Sequence, residues 1–149
     1  MGWAMTAELV FWLVLAHFIG DYFLQSDWMA QGKTEKWWPA IAHGLTYGIP
    51  FAIILLVTFG WVLPVGLALL IIVGTHTLID HYRWAKQIGW LKNQFAPKRT
   101  RYSWEEGKAN AGYSANTPVW LSTWLMIITD NVIHIVINFL AVTLLLGTT

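Results

Sequence analysis

Four long apolar runs are the feature that most limits how this chain can fold. They cover residues 4–24, 39–58, 62–82 and 118–146. Each is close to the ~20 residues that an α-helix needs to cross a bilayer. The chain is 56% hydrophobic and only 11% charged, which is typical of an integral membrane protein. We therefore predict an all-α, single membrane domain over residues 1–149, in which four transmembrane helices form a bundle.

The positions of the basic residues predict how these helices are oriented. All nine Lys and Arg residues lie in, or at the edges of, the loops that follow the first and third runs. Because cytoplasmic loops carry an excess of such residues, we predict that both loops are cytoplasmic and both termini outside, in a bacterial inner membrane. The net charge of +1 gives no sign of a nucleic-acid partner. The basic residues are Lys33, Lys36, Arg83, Lys86, Lys92, Lys98, Arg99, Arg101 and Lys108.

The segment 84–117 is the longest polar stretch of the sequence. It begins with four apolar residues at helical spacing and lysines on the opposite side, which predicts a short interfacial helix along the inner membrane surface. From residue 96 onward the segment is polar and contains Gly and Asn, which predicts a cytoplasmic loop or lid whose role the sequence leaves open. The four apolar residues are Trp84, Ile88, Leu91 and Phe95.

Histidines and aspartates recur in pairs inside the apolar runs. Residues four apart lie on one face of a helix, so each pair can present two side chains to one point. Gln25 continues the first pair by one turn, Asn138 continues the last, and His43 lies near the start of the second run. The pairs are His17 with Asp21, His76 with Asp80, and Asp130 with His134.

A bound divalent cation explains why an apolar bundle would carry these side chains. Each ionisable residue inside hydrocarbon costs at least ~2.5–3.5 kcal/mol on insertion scales. The absence of cysteine excludes thiolate ligands, and imidazole with carboxylate suits zinc, manganese, iron or nickel, of which we expect zinc or manganese. We expect one ion rather than two. The predicted ligands are His17, Asp21, His43, His76, Asp80, Asp130 and His134.

Simpler explanations exist for individual residues. A lone pair of His and Asp is more often a hydrogen bond between neighbouring helices than a metal site. Asp80 could instead pair with Arg83 one turn later. His43 could be a ligand, a partner that orients a ligand, or a contact to substrate.

Four stretches of the sequence, "HFIGDYFLQSDW", "AHGLTYG", "THTLIDHYR" and "DNVIHIVIN", carry a resemblance. The chain resembles an uncharacterised bacterial and phage family of small membrane proteins, a domain of unknown function. More distantly it is similar to YdjM-like proteins, described as membrane-bound metal-dependent hydrolases. This second resemblance implies metal dependence and hydrolysis through the same seven His and Asp residues.

The leading hypothesis is a membrane-embedded metal-dependent hydrolase. It would act on an ester or phosphoester of a lipid-like substrate at the cytoplasmic leaflet, with the lipid bilayer as its surroundings. Asp130 and His134 would complete the metal site or act as orienting groups and general base. Gln25, Asn131 and Asn138 would position substrate. The sequence leaves the oligomeric state open.

Two other classes of protein fit the same pattern. A metal or proton transporter would use these ligands as a transient binding site along its pathway. Transport needs access from both faces of the membrane, and the outer halves of the runs hold almost no ionisable residues, which counts against this class. A non-catalytic membrane protein of phage type, holin-like or involved in exclusion, would use the polar pairs only to lock the bundle.

Overall fold

The computed structural model describes residues 7–147, and every regular element within that range is helical. Seven α-helices occur in the described range, together with one π-helical turn and one 3-10 turn. In chain order these are α1 (Ala7–Phe18), the π-helical turn (Ile19–Phe23), α2 (Asp27–Gly32), α3 (Trp37–Phe59), α4 (Leu63–Tyr82), α5 (Trp84–Asn93), the 3-10 turn (Lys98–Thr100), α6 (Trp104–Ala109) and α7 (Val119–Leu146).

Three of these helices, α3, α4 and α7, are long and apolar enough to cross a membrane. They coincide with the second, third and fourth apolar runs to within two residues at each end. The all-α prediction is therefore confirmed for the described residues, and the three helices agree with the prediction of a membrane protein. The first run is helical from Ala7 through the π-helical turn, and its role as a fourth span stays a prediction.

The described chain forms two compact units. The first contains the residues up to Tyr82 together with those from His134 onward, and the second is Arg83–Ile133. The helix α7 contributes residues to both.

The core of the first unit is apolar and is built mainly from α1, α3, α4 and the end of α7. Its buried members include Leu13, Phe51, Leu55, Ile72 and Val142. A helix pair in an apolar bundle gains stability mainly through close packing. Packing in the apolar core therefore fixes the relative positions of these helices, and with them the positions of their polar side chains.

Two glycines one turn apart allow α3 and α4 to approach closely. A Cβ atom at Gly44 would overlap the hydroxyl of Thr77, and one at Gly48 would lie 2.5 Å from a methyl carbon of Val73. Small residues at this spacing are a common contact between membrane helices. As a result, His43, which precedes Gly44, is brought beside the polar end of α4.

The second unit contains α5, the 3-10 turn, α6, several ordered turns and the first part of α7. The segment predicted as a loop contains α6, which begins at the cap Ser103, whose hydroxyl accepts a hydrogen bond from the Glu106 amide. Asn110 donates to the carbonyls of Ser114 and Thr117 at 2.7 and 2.9 Å. These hydrogen bonds give the polar segment a defined conformation.

Candidate metal site

Four buried side chains of the first unit converge on one point. Asp21 comes from the π-helical turn, His43 from α3, and His76 and Asp80 from adjacent turns of α4. None is more than 5% exposed. These four residues are called the four-residue cluster below.

The distances within the cluster are short. His43 Nε2 lies 3.0 Å from His76 Nε2 and 3.2 Å from both Asp21 Oδ1 and Asp80 Oδ2. His76 Nε2 lies 3.7 Å from Asp21 Oδ1 and 3.3 Å from Asp80 Oδ2. Two nitrogens and two oxygens therefore face each other, and one ligand atom from each of the four residues lies within 4.8 Å of the other three.

This spacing fits a first-row divalent ion. Zinc bonds to imidazole nitrogen or carboxylate oxygen are about 2.0–2.2 Å long, so a tetrahedral site separates its ligand atoms by roughly 3.3–3.6 Å. The five distances above lie between 3.0 and 3.7 Å. The four-residue cluster could hold a metal ion.

Hydrogen bonds to His134 orient two members of the cluster. His134 Nε2 lies 3.2 Å from Asp80 Oδ1, and His134 Nδ1 lies 3.3 Å from His76 Nδ1. A carboxylate only accepts, so a neutral His134 donates from Nε2 and accepts at Nδ1. His76 must then donate from Nδ1, which leaves the lone pair of its Nε2 directed into the cluster.

The cluster gathers several acceptors around one point, and the donors beside them are His43 Nε2 and the Lys33 ammonium. The lone pair of His76 Nε2 faces the carboxylate oxygens of Asp21 and Asp80. Asp80 Oδ2 accepts no well-formed hydrogen bond from the described residues, despite an ion pair with Lys33. Acceptors that face each other in a buried site repel unless a positive charge or a proton lies between them.

His43 is the least supported member of the cluster. Its Nδ1 is buried and has no hydrogen-bond partner within the described part of the chain. Histidines that bind metal usually donate their second ring N–H to a carboxylate or a carbonyl. We therefore expect His43 to be a weaker ligand than His76.

Lys33, which the sequence marks only as one of the basic residues predicted to set the membrane orientation, lies beside the four-residue cluster. Its Nζ lies 2.6 Å from Asp80 Oδ2, 3.1 Å from His43 Nε2 and 3.7 Å from Asp21 Oδ1. Lys33 follows α2 in the connection to α3, so no helical spacing could have linked it to these residues. The sequence connected Lys33 only with the predicted membrane orientation, which does not indicate the residues that Lys33 contacts.

His17 lies in a separate buried group, with Tyr47 and Asn138, which is called the tyrosine network below. Asn138 donates to the Tyr47 hydroxyl at 2.6 Å, and that oxygen lies 2.9 Å from His17 Nδ1. Tyr47 was missed although it follows His43 by four residues, because tyrosine is not a common metal ligand. Asn138, predicted to position substrate, is buried and holds Tyr47.

The remaining predicted residues occupy less enclosed positions. Asp130 and Asn131 are half-buried on α7, with Asp130 one turn before His134, and they belong to the second unit. Gln25 follows the π-helical turn, and its side-chain oxygen is buried without a hydrogen-bond partner in the described structure. Their predicted roles stay predictions.

Fold and site together define a helical protein with three helices that could span a membrane and a buried Asp and His cluster that could hold a metal ion. The chain belongs to the family described as "Protein of unknown function (DUF3307)", whose model matches residues 9–103. The resemblance to a domain of unknown function is thereby confirmed.

The matched region contains the whole four-residue cluster and Lys33, whereas α7 with Asp130, His134 and Asn138 lies beyond it. No curated protein and no solved structure matches the chain. The similarity to YdjM-like hydrolases therefore stays a prediction.

Proposed function

We propose that this protein is a membrane-embedded, metal-dependent hydrolase that acts on an ester or phosphoester of a lipid-like substrate at the cytoplasmic leaflet. The observation that carries the proposal is the close approach of two buried imidazole nitrogens and two buried carboxylate oxygens in the four-residue cluster. These four atoms form a donor set suited to zinc or manganese.

In this proposal, the cluster residues and their neighbours have different roles. Asp21, His43, His76 and Asp80 would hold the ion, which when bound polarises a scissile group and activates water. His134 keeps Asp80 and His76 in orientation through the hydrogen bonds given above. Both ring nitrogens of His134 are engaged in these hydrogen bonds, so this proposal gives His134 an orienting role in place of the predicted general-base role.

Substrate contacts fall to fewer residues than the sequence indicated. The side-chain amide of Asn138 donates a hydrogen bond to the Tyr47 hydroxyl. In this proposal Asn138 therefore holds Tyr47 in place and does not contact substrate. Gln25 has a buried oxygen without a partner in the described chain, which makes it the better candidate to meet a polar substrate group. Asn131 is retained as a second candidate.

A membrane location at the cytoplasmic leaflet is supported by the second unit. Trp84, Ile88 and Leu91 are exposed on α5, and apolar residues beside lysines are typical of an interfacial helix. Burial, with nearby Arg83 and Lys108, lowers the pKa of Lys86. Such crowding of positive charge favours anionic headgroups over cations. We extend the proposal to a fourth span at residues 7–23 and to termini on the outer side.

The first test is metal content. Protein purified in mild detergent without a histidine tag is analysed by inductively coupled plasma mass spectrometry, beside a His76→Ala, Asp80→Ala double variant. Because the double variant removes half of the donor set, we expect about one equivalent of a transition metal in the wild type and less than about a tenth of that in the variant. Asp27→Ala, which removes an exposed carboxylate outside the cluster, is the matched control.

Hydrolysis is tested next on metal-loaded protein with phosphoester and ester lipids. A wild type that binds metal but cleaves none of them while carrying metal into liposomes would favour the transporter. A wild type that holds no metal, even after incubation with zinc and manganese, would favour the non-catalytic protein with a structural polar core.

A further inference from the structure

The ammonium group of Lys33 lies against three of the four proposed ligand atoms. The distances from Nζ are 2.6 Å to Asp80 Oδ2, 3.1 Å to His43 Nε2 and 3.7 Å to Asp21 Oδ1. We propose that the four-residue cluster holds one cation at a time, so that a divalent ion displaces the ammonium of Lys33 and this lysine acts as a built-in competitor for metal. The inference rests on the proposed function, since the metal site is the same cluster.

The charge of the cluster supports an exchange of cations. With neutral imidazoles, Asp21 and Asp80 carry two negative charges, and the single ammonium of Lys33 balances one of them. A buried charge that is left unbalanced costs free energy. A divalent ion balances both carboxylates. An ammonium and a divalent ion that share the same three ligand atoms would repel each other strongly in this buried site.

An ammonium is also an incomplete occupant of this site. It carries three N–H donors and no lone pair, so it can satisfy acceptors without binding metal itself. Asp80 Oδ2 accepts no well-aligned hydrogen bond even at its short distance from Nζ, within the described chain. Lys33 therefore balances negative charge in the cluster but leaves the hydrogen-bonding capacity of Asp80 Oδ2 unsatisfied.

Lys33 can leave without a rearrangement of the helices. Its side chain is 17% exposed, whereas the carboxylates beside it are nearly fully buried. Its carbonyl oxygen accepts a hydrogen bond from His81 Nδ1 at 2.9 Å, and the His81 ring stacks on Trp37 at 4.0 Å. Because the backbone is held in place, rotation of one long side chain is enough to release the ammonium.

Zinc affinity tests the exchange directly. Full-length protein in mild detergent is stripped with a chelator and titrated with zinc in competition with a chromogenic chelator, as wild type, Lys33→Gln and Lys36→Gln. Lys36 is exposed and three residues away, so its variant removes the same charge from the same connection. Loss of the competitor should make Lys33→Gln bind zinc about tenfold or more tightly, with Lys36→Gln within about twofold of wild type.

The outcomes separate this inference from the proposed function. If wild type binds zinc and Lys33→Gln binds it equally or more weakly, the competition is overturned and the metal site stands. Zinc binding by Lys33→Gln alone would support the competition in its strongest form. If neither protein binds zinc, both the exchange and the metal site are overturned.

A second measurement uses the wild type only and does not depend on how the variant folds. Lysines are acetylated with acetic anhydride with and without zinc, and the modified positions are quantified by mass spectrometry. Displacement into solvent should raise the labelling of Lys33 several-fold when zinc is bound, with Lys36 unchanged. Equal labelling of Lys33 in protein that has demonstrably bound zinc would overturn the exchange.

Discussion

The four-residue cluster and the tyrosine network are both groups of buried polar side chains in the first unit, yet their hydrogen bonding differs. In the tyrosine network donors meet acceptors, since Asn138 donates to Tyr47 and the Tyr47 hydroxyl can donate to His17. In the cluster, two carboxylate oxygens and a histidine lone pair face one another. Burial of polar groups in an apolar bundle is thus no sign of a ligand site by itself, whereas acceptors gathered around one point beside an ammonium group indicate a site for a cation.

One residue connects the two groups through different atoms. The Tyr47 ring stacks on the His76 ring with centroids 3.6 Å apart and planes within 6°. Its hydroxyl belongs to the tyrosine network. The ring and the hydroxyl can therefore be altered separately, which allows the two groups to be tested one at a time.

Substitution of Gly44 by valine should have the largest effect, because it disturbs the helix pair on which both groups depend. The added Cβ would overlap the Thr77 hydroxyl and force α3 and α4 apart. We expect a destabilisation of about 3 kcal/mol and loss of bound metal. Thermal unfolding in detergent and metal content would measure the two effects.

The matched control is Gly74→Val on α4. Apart from its chain neighbours and the adjacent backbone of α4, no atom lies within 4 Å of a Cβ built at Gly74, so this variant should stay within about 1 kcal/mol of wild type. Equal stability of the two glycine variants would mean that the close contact at Gly44 does not stabilise the helix pair that carries the four-residue cluster and the tyrosine network.

Hydropathy alone predicted the three long helices, because length and apolar composition decide what can cross a bilayer. Helical spacing also predicted that His76 and Asp80 would share a face, since four residues are about one turn of α4. The same reasoning was less informative for His17 and Asp21. A π-helical turn begins between them, and they join different groups.

The contacts of Lys33 could not be predicted from helical spacing. It lies outside the long helices, and its contacts depend on how the connection between α2 and α3 folds back over α4. The period of a helix carries no information about such a contact. The Gly44 and Gly48 pair was readable as a close-packing motif, but the sequence did not name the helix that packs against it.

Replacement of His134 by alanine should have the next largest effect and should act on the cluster. His134 contacts Asp80 Oδ1 and His76 Nδ1, and neither is a proposed ligand atom. Loss of such an orienting partner typically lowers metal affinity about 10- to 100-fold. Zinc titration should find this decrease with the number of bound ions unchanged.

His134→Gln is the conservative comparison, since its amide can donate to Asp80 in place of Nε2. We expect it to recover part of the lost affinity. If alanine and glutamine variants both bind zinc as tightly as wild type, the orientation of Asp80 and His76 must come from elsewhere in the bundle.

Tyr47→Phe should have the smallest effect and should separate the two groups most clearly. It keeps the ring that stacks on His76 and removes the hydroxyl shared by His17 and Asn138. Loss of these hydrogen bonds should cost about 1 kcal/mol in thermal unfolding experiments, while zinc affinity stays within about twofold of wild type. Tyr47→Leu, which removes the ring as well, should weaken zinc binding further. A Tyr47→Phe protein that loses as much zinc affinity as His134→Ala would mean that the tyrosine network and the cluster act as one coupled group, because the hydroxyl touches no proposed ligand atom.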